Sequence, residues 1–218
     1  SIGIIAAMVI AVVANVFATS VADFVALAQR LDREEGIAAL ELNVSCPNVT
    51  HGGLEFGVDP KACAEVTAAV KAATRLPVWV KLSPEASSVP TIARACEEAG
   101  ADALTAINTI RGMAVDIERR SFRLANRTGG LSGPALKPIA LRIVWEVTRA
   151  VKIPVIAIGG ISTARDAIEF LLVGATAVQV GTASFADPMA SKRVVDGLRD
   201  WCRAEGTNPR ALRGSIRT

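Results

Sequence analysis

PVIAIGG at residues 154–160 and AVQVGT at residues 177–182 are short apolar runs that each end in a glycine turn. Apolar runs of this length are typical of buried strands, and glycine lets the backbone turn tightly and approach a ligand closely. Glycine turns after two consecutive strands match the usual phosphate site of a (β/α)8 barrel. Each turn alone is an ordinary loop signal, but the pair favours a barrel.

The same alternation of strand and helix extends through most of the chain. β-Branched and apolar runs predict strands over Ile10–Val16, Leu40–Val44, Val78–Leu82, Ala103–Ile107, Pro154–Ile158 and Ala177–Val180. Amphipathic segments predict helices over Val21–Arg33, Pro60–Thr74, Val89–Ala99, Leu136–Val151 and Thr163–Val173. Gly36, Gly100 and Gly174 are expected to cap three helix ends. Strands that are apolar throughout indicate a parallel sheet with both faces covered by helices.

A doubly wound sheet and a (β/α)8 TIM barrel both fit this alternation, and the polar residues separate them. Polar side chains lie at or just after the carboxyl ends of many of the predicted strands, as with Asn15, Asn43, Lys81 and Asn108. A barrel builds its site from the ends of many strands, whereas a doubly wound sheet concentrates it at one crevice. We therefore predict an α/β TIM barrel. It is incomplete, with about six of eight strands, because a full barrel needs about 250 residues.

Composition excludes several classes of protein. The 218 residues are 51% hydrophobic and 21% charged, which is typical of a globular domain rather than a disordered chain. Residues 111–127 are rich in arginine, but acidic residues interrupt them and Phe122 is their only aromatic residue. Single-stranded nucleic acid is typically bound by stacking aromatics together with positive charge, so a solvated or partner-facing loop is favoured there over a nucleic-acid site.

The four cysteines and the N-terminal segment give information about the cellular compartment of the protein. Cys46, Cys63, Cys96 and Cys202 form no CxxC pair and show no metal-ligand spacing, so reduced thiols in a cytoplasmic protein are expected. The apolar segment 1–17 lacks the charged start of a signal peptide, and Asn15 interrupts it before it reaches a membrane-spanning length. We interpret its second half as a buried strand.

Several strand-end residues carry reactive groups. Cys46, in NVSCPN at residues 43–48, is either an inert thiol or a proton acceptor. Lys81 either reaches solvent or stabilises an anionic intermediate, such as a reduced flavin or an enolate. Asn43 and Asn108 either cap loops or pair with an amide-like heterocycle. A nucleophilic triad would have to use His51, the only histidine.

Five motifs together resemble one enzyme family. They are NVSCPN (43–48) followed by Gly52-Gly53 and Phe56-Gly57, NTIRGMA (108–114), TGGLSGPA (128–135), IGGI (158–161) and VQVGTA (178–183). The set is similar to dihydroorotate dehydrogenase, and more narrowly to the FMN-carrying catalytic subunit of the NAD-linked class 1B. The resemblance runs from about Ile10 to the C-terminal region.

This resemblance implies an FMN barrel that oxidises (S)-dihydroorotate to orotate in pyrimidine biosynthesis. Cys46 matches the base that removes the C5 proton, while the C6 hydride passes to the flavin. Asn43, Asn108 and Thr109 match substrate contacts. The positions that match FMN contacts are Asn15, Asn43, Lys81, Ile107, Gly133, Gly159, Gly160, Gly181 and Thr182. In this class, electrons leave through a partner subunit that carries FAD and a [2Fe–2S] cluster linked to NAD, on a homodimer core within a heterotetramer.

The chain departs from the family pattern at its start. Family members begin with two further strands, and Ser1-Ile2-Gly3 resembles the segment that follows the second of them. We therefore expect residues 1–218 to form a single FMN-binding barrel domain that lacks the N-terminal part. Two alternatives stay open: another FMN- or phosphate-binding barrel enzyme, such as a pyrimidine reductase, and an inactive barrel fragment.

Overall fold

The computed structural model describes residues 11–44 and 56–217. Cys46, His51 and the N-terminal residues 1–10 lie outside the described residues. The strands are β1 (Val12–Val16), β2 (Ile37–Asn43), β3 (Val78–Leu82), β4 (Ala103–Ala106), β5 (Ile110–Met113), β6 (Val115–Asp116), β7 (Ser121–Phe122), β8 (Thr128–Leu131), β9 (Val155–Ile158) and β10 (Ala177–Gln179). The helices are α1 (Val21–Leu31), α2 (Pro60–Ala73), α3 (Val89–Glu98), α4 (Lys137–Ala150), α5 (Ala164–Leu172), α6 (Ala183–Ala186), α7 (Ala190–Ala204) and α8 (Pro209–Leu212).

The main sheet confirms the predicted barrel class. Its six parallel strands lie in the order β1-β2-β3-β4-β9-β10. This order follows the chain, without the reversal that defines a doubly wound sheet. All six predicted strands are present, and β3 has the predicted bounds. The described strands therefore form an incomplete TIM barrel.

One hydrogen bond shows how strongly the sheet curls. Gln179 Nε2 on β10 donates to Glu41 Oε2 on β2 over 2.8 Å, although three strands lie between them in the sheet. In a flat sheet those two strands would lie about 19 Å apart, because neighbouring strands are about 4.8 Å apart. The two side chains meet because the sheet curves around a shared interior.

The two faces of this sheet differ in polarity. The outward face packs against the helices with buried apolar side chains, including Leu40, Leu42, Val80, Leu82 and Leu104. The inward face carries polar residues, because Lys81 on β3 is paired with Asn43 on β2 and with Thr105 on β4. Glu41, two residues before Asn43, lies on the same face and contacts both Thr105 and Lys81. The expectation that strands are apolar on both faces is therefore wrong for these three strands. They combine an apolar outer face with a polar interior.

Helix ends follow the predicted glycines in two of three cases. Gly100 and Gly174 adopt positive φ just after α3 and α5, and each helix closes with the paired backbone hydrogen bonds of a Schellman motif. Gly36 does not cap α1, since that helix ends at Leu31 and is capped by Asp32. Gly36 instead turns the chain just before β2 with φ of 84°.

The arginine-rich segment is not the loop expected from its composition. β5 pairs with β8, and β6 pairs with β7, in two small antiparallel sheets. Glu85 anchors the first pair by accepting the Arg111 backbone N–H over 2.9 Å. Gly130 lies so close to Thr109 that an added Cβ would stand 2.3 Å from the threonine hydroxyl. Tertiary contacts of this kind stabilise strands that short, charged sequences do not predict.

Three cysteines are buried in the helical layer. Cys63 in α2, Cys96 in α3 and Cys202 in α7 are all buried free thiols. The Cys63 and Cys96 sulfurs lie 3.2 Å apart, and this contact, together with burial, raises the pKa of Cys63 well above its usual range. A neutral buried thiol is a poor nucleophile. Separately, no helix in the described part of the chain is long and apolar enough to cross a lipid bilayer.

Candidate functional site

A cavity of about 360 Å3 opens at the carboxyl ends of the barrel strands. In a TIM barrel this end of the sheet carries the active site. Most of the predicted site residues line the cavity: Lys81, Ile107, Asn108, Thr109, Gly133, Gly159, Gly160, Gly181 and Thr182. Residues far apart in the chain therefore converge on one space.

Four glycines form one wall of this cavity, and we call Gly133, Gly159, Gly160 and Gly181 the glycine cradle. Gly160 has φ of 74°, and an added Cβ would stand 2.7 Å from Lys137 N and 2.9 Å from the Gly133 oxygen. Gly159, with φ of 134°, would press a Cβ to within 2.8 Å of Ala140 Cβ. Only glycine fits these two positions, because both the conformation and the space exclude a side chain.

Gly181 differs from the other glycines of the cradle. Its φ is not positive, and the nearest atom to an added Cβ is Ile158 Cδ1 at 3.8 Å, an ordinary van der Waals distance. The protein itself therefore tolerates a methyl group there. The short helix α6 begins two residues later at Ala183. A short extra helix after the last strand is the usual companion of a barrel phosphate site.

The turn after β9 is braced by Asp166 at the start of α5. Asp166 and Thr163 form a capping box, and the Asp166 carboxylate also accepts the Ser162 N–H and the Lys137 ammonium. Burial raises the pKa of Asp166, but the Lys137 ammonium and the neighbouring N–H groups lower it more, so the net pKa lies well below its usual range. The ionised carboxylate therefore holds the segment that follows Gly160.

Lys81 brings a positive charge to the cavity. Its side chain is 16% exposed, and Nζ lies 3.8 Å from Glu41 Oε1. Being mostly buried, this ammonium is less screened by solvent than a surface lysine would be. An anionic group in the cavity would experience that charge directly.

Two asparagines lie side by side next to Lys81. Asn108 Nδ2 donates to Asn43 Oδ1 over 3.0 Å, and Asn108 Oδ1 accepts the Thr109 N–H over 2.9 Å. Asn43 stands opposite Lys81 in the register of β2 and β3. The residues predicted to contact a substrate are thus adjacent to each other and to the cation.

Two predicted site residues among the described ones, Asn15 and Asn43, do not line the cavity, although Asn43 contacts the lining residue Asn108. Asn15 on β1 is not among the residues that line the cavity, and its Nδ2 donates to Glu41 Oε1 over 2.6 Å. Cys46 lies outside the described residues, so its predicted role stays a prediction.

Comparison with known proteins gives a consistent family. The family model described as dihydroorotate dehydrogenase matches residues 5–201. The chain belongs to the dihydroorotate dehydrogenase family. It is 56% identical over 194 residues to the "Dihydroorotate dehydrogenase B (NAD(+)), catalytic subunit" of Trichlorobacter lovleyi, covering 89% of this chain and 64% of that protein.

Two further comparisons agree. The protein of the same name from Geobacter sulfurreducens is 55% identical over 195 residues, again covering 89% of this chain and 64% of that protein. The chain thus spans a little under two thirds of the length of these dihydroorotate dehydrogenase relatives. A crystal structure of DHODH from Eimeria tenella in complex with ferulenol matches with a TM-score of 0.75 at 24% identity, covering 91% of this chain and 58% of that one. This last likeness supports the fold.

The cavity fits the cofactor expected of a dihydroorotate dehydrogenase. The glycine cradle exposes backbone where a phosphate would need N–H donors, and α6 begins beside it. Ile107, Leu136 and Ile158 supply apolar walls of the kind that a flat heterocycle requires. Lys81 is the one cationic side chain among the described residues that line the cavity. The donors and walls present therefore suit FMN.

Glu41 is the site residue that sequence reasoning missed. It is 4% exposed and accepts hydrogen bonds from Asn15, Thr105 and Gln179. The available signal was a carboxylate in the middle of the strand IAALELN, residues 37–43, where all other residues up to Leu42 are apolar. A buried charge requires partners, so its position alone pointed to a polar interior.

Proposed function

We propose that this chain forms the FMN and dihydroorotate sites of a class 1B dihydroorotate dehydrogenase, which oxidises (S)-dihydroorotate to orotate in pyrimidine biosynthesis. The observation that carries this proposal is the convergence of Lys81, Asn108 and the glycine cradle on one cavity. The names of the relatives, at 55–56% identity, support the same activity.

The residues around the cavity would have different roles according to their position. Backbone N–H groups of the glycine cradle and Thr182 would bind the FMN phosphate, because glycine lets the backbone approach it closely. Ile107 and Ile158 would pack on the flavin ring and exclude water. Lys81 would hold positive charge against the ring, where an anionic reduced form is favoured by a fixed cation. FMN itself, when bound, supplies the acceptor for the substrate's C6 hydride.

The substrate would lie against the two asparagines. Asn43 and Asn108 can each donate and accept, as the amide groups of a dihydropyrimidine require. Thr109 adds a hydroxyl at the same place. Cys46 would accept the C5 proton, so that the proton and the hydride leave neighbouring carbons and a ring double bond forms.

The electrons must then pass to an acceptor outside this chain. The relatives' names call the matching protein a catalytic subunit and include NAD(+). We infer a partner subunit that carries FAD and a [2Fe–2S] cluster and passes electrons to NAD+, with two copies of the catalytic subunit at the core of a heterotetramer. We place this assembly in the cytoplasm, where pyrimidine synthesis and NAD+ meet.

Anaerobic mixing of the FMN-loaded protein with dihydroorotate tests the activity. We expect the visible flavin absorbance to bleach and orotate to form in equal amount. Bound FMN that stays oxidised would contradict the proposed substrate and favour another FMN-dependent barrel enzyme.

Cys46→Ser tests the proton acceptor in the same experiment. The flavin should be reduced at least about a hundredfold more slowly, the usual scale for a positioned base. Cys202→Ser, in the buried face of α7, is the matched control and should leave the rate unchanged. A Cys46→Ser protein that is reduced as fast as the parent would remove Cys46 from the mechanism.

A further inference from the structure

Glu41 occupies a position that the proposed reaction does not explain. It lies on β2, is 4% exposed, and is not among the residues that line the cavity. Nevertheless it is the carboxylate that pairs with Lys81 within residues 11–44 and 56–217. It therefore contacts the site's cation without lining the cavity itself.

The Glu41 carboxylate is fixed in place through both of its oxygens. Oε1 accepts from Asn15 Nδ2 at 2.6 Å and lies 3.8 Å from Lys81 Nζ. Oε2 accepts from Thr105 Oγ1 at 2.7 Å and from Gln179 Nε2 at 2.8 Å. Rotation of the carboxylate would break several of these contacts together, so the ammonium faces a stationary negative charge.

The donors also tie the sheet together. Asn15 belongs to β1 and Gln179 to β10, which are the two edge strands of the described six-stranded sheet. Gln179 comes two residues before Gly181 in the glycine cradle. The same carboxylate therefore fixes the position of the Lys81 ammonium relative to the end of β10.

A purely structural role does not account for the charge. Desolvation offsets much of the attraction within a buried ion pair, and apolar residues of similar volume often stabilise a fold equally well. A charge this close to a cavity does affect the charge state of whatever occupies the cavity. The arrangement is therefore suited to adjusting electrostatics at the site.

We propose that Glu41 is a positioning residue that holds the Lys81 ammonium at the cavity wall and partly offsets its charge, and so limits the site's preference for reduced over oxidised FMN. This inference rests on the proposed FMN site. It assigns opposite electrostatic effects to two residues in contact. Removing Lys81 should disfavour the anionic reduced flavin, whereas neutralising Glu41 should favour it.

The test is the ratio of affinities for reduced and oxidised FMN, obtained from the flavin's midpoint potential in the purified protein. For Glu41→Gln we expect the ratio to rise about tenfold, equivalent to about +30 mV for a two-electron couple. For Lys81→Met we expect it to fall. A structural defect alone would weaken both forms equally and leave the ratio unchanged.

Glu97→Gln is the matched control, because it also neutralises one carboxylate. Glu97 accepts the Lys152 and Ile153 N–H groups shortly before β9, at the other end of the sheet. Its ratio should equal that of the parent. Should Glu41→Gln not fold, Glu41→Asp keeps the charge but shortens its reach, and the ratio should rise by a smaller factor. An unchanged ratio in the folded variant overturns the inference and leaves the proposed FMN site standing.

Failure of FMN binding is separable from failure of this inference. If the parent protein takes up no FMN, the proposed function is refuted, and the Glu41–Lys81 pair is then tested in the FMN-free protein. Glu41→Gln, Lys81→Met and the double variant should change the free energy of unfolding non-additively. Additive changes would show that the two side chains are not coupled, which would overturn the inference.

Discussion

The two ends of the barrel sheet use polar groups in opposite ways. At the amino ends of the strands, carboxylates close the connections between helices and strands by accepting backbone N–H groups. At the carboxyl ends, glycines and amide side chains surround an open cavity. The first end stabilises the fold and the second leaves groups available for a ligand, as in other TIM barrels.

Three carboxylates show the pattern at the amino ends. Asp32 Oδ1 accepts the Thr74 hydroxyl and the Arg75 N–H, both at 2.8 Å. Asp102 Oδ2 accepts the Val78 N–H at 2.7 Å, where β3 begins. Glu97 does the same for Lys152 and Ile153, shortly before β9. Each of these carboxylates accepts a backbone N–H at a connection between a helix and a strand.

The largest expected effect comes from adding a methyl group to the glycine cradle. Gly160→Ala forces an alanine to positive φ and against Lys137 N, so we expect a loss of about 3 kcal/mol in unfolding free energy. FMN binding should be lost with it. Thermal unfolding and FMN titration measure the two effects.

Gly181→Ala is the matched variant, because its Cβ meets nothing closer than 3.8 Å. It should unfold like the parent but bind FMN about tenfold more weakly, since the methyl group enters the cavity. Equal FMN affinity in Gly181→Ala and the parent would argue against a ligand at this wall.

Removing the site's cation should have the next largest effect. Lys81→Ala should weaken FMN binding or lower the flavin's reduction potential, with a change of about tenfold in affinity for the reduced form. Redox titration followed by visible absorbance measures it. Unchanged potential together with normal affinity would exclude Lys81 from the flavin site.

A carboxylate at the opposite end should affect stability alone. Asp102→Ala leaves the Val78 N–H without its acceptor, so we expect a loss of about 1–2 kcal/mol in unfolding free energy. FMN affinity should equal that of the parent. A change in FMN affinity without a change in stability would contradict the division between the two ends.

The smallest expected effect is a dependence on acid. The Thr74 hydroxyl, then the Arg75 N–H, lower the pKa of Asp32 from 3.8 to about 2. Because the folded pKa is depressed, this stabilisation is present above about pH 4 and is lost as the pH falls towards 2. In Asp32→Asn, the melting temperature should decrease less between pH 5 and 2 than it does in the parent. The difference should correspond to the contribution of one titrating carboxylate. An identical decrease would refute this assignment.

The sequence predicted the strands well because each barrel strand has an apolar outer face. Val78–Leu82 was predicted to the residue. The β5–β8 and β6–β7 pairs were missed because residues 110–131 owe their structure to contacts such as Glu85 with Arg111. Contacts between distant residues leave little local signal.

The site was predicted in part for a similar reason. Strand-end residues such as Lys81 and Asn108 stand out because polar groups end apolar runs. Glu41 was missed because its importance depends on meeting Gln179 from the far edge of a curled sheet. The steric demand at Gly160 depends on Lys137, which is likewise invisible in the local sequence.

Amide hydrogen exchange with and without FMN compares the two ends most directly. FMN should slow exchange at the turns after β9 and β10, including Gly160 and Thr182. Exchange of the backbone amides that donate to Asp32 and Asp102 should not change. Exchange that is unaffected by FMN at both turns, or slowed equally at both ends of the sheet, would contradict a flavin site at the carboxyl ends of the strands.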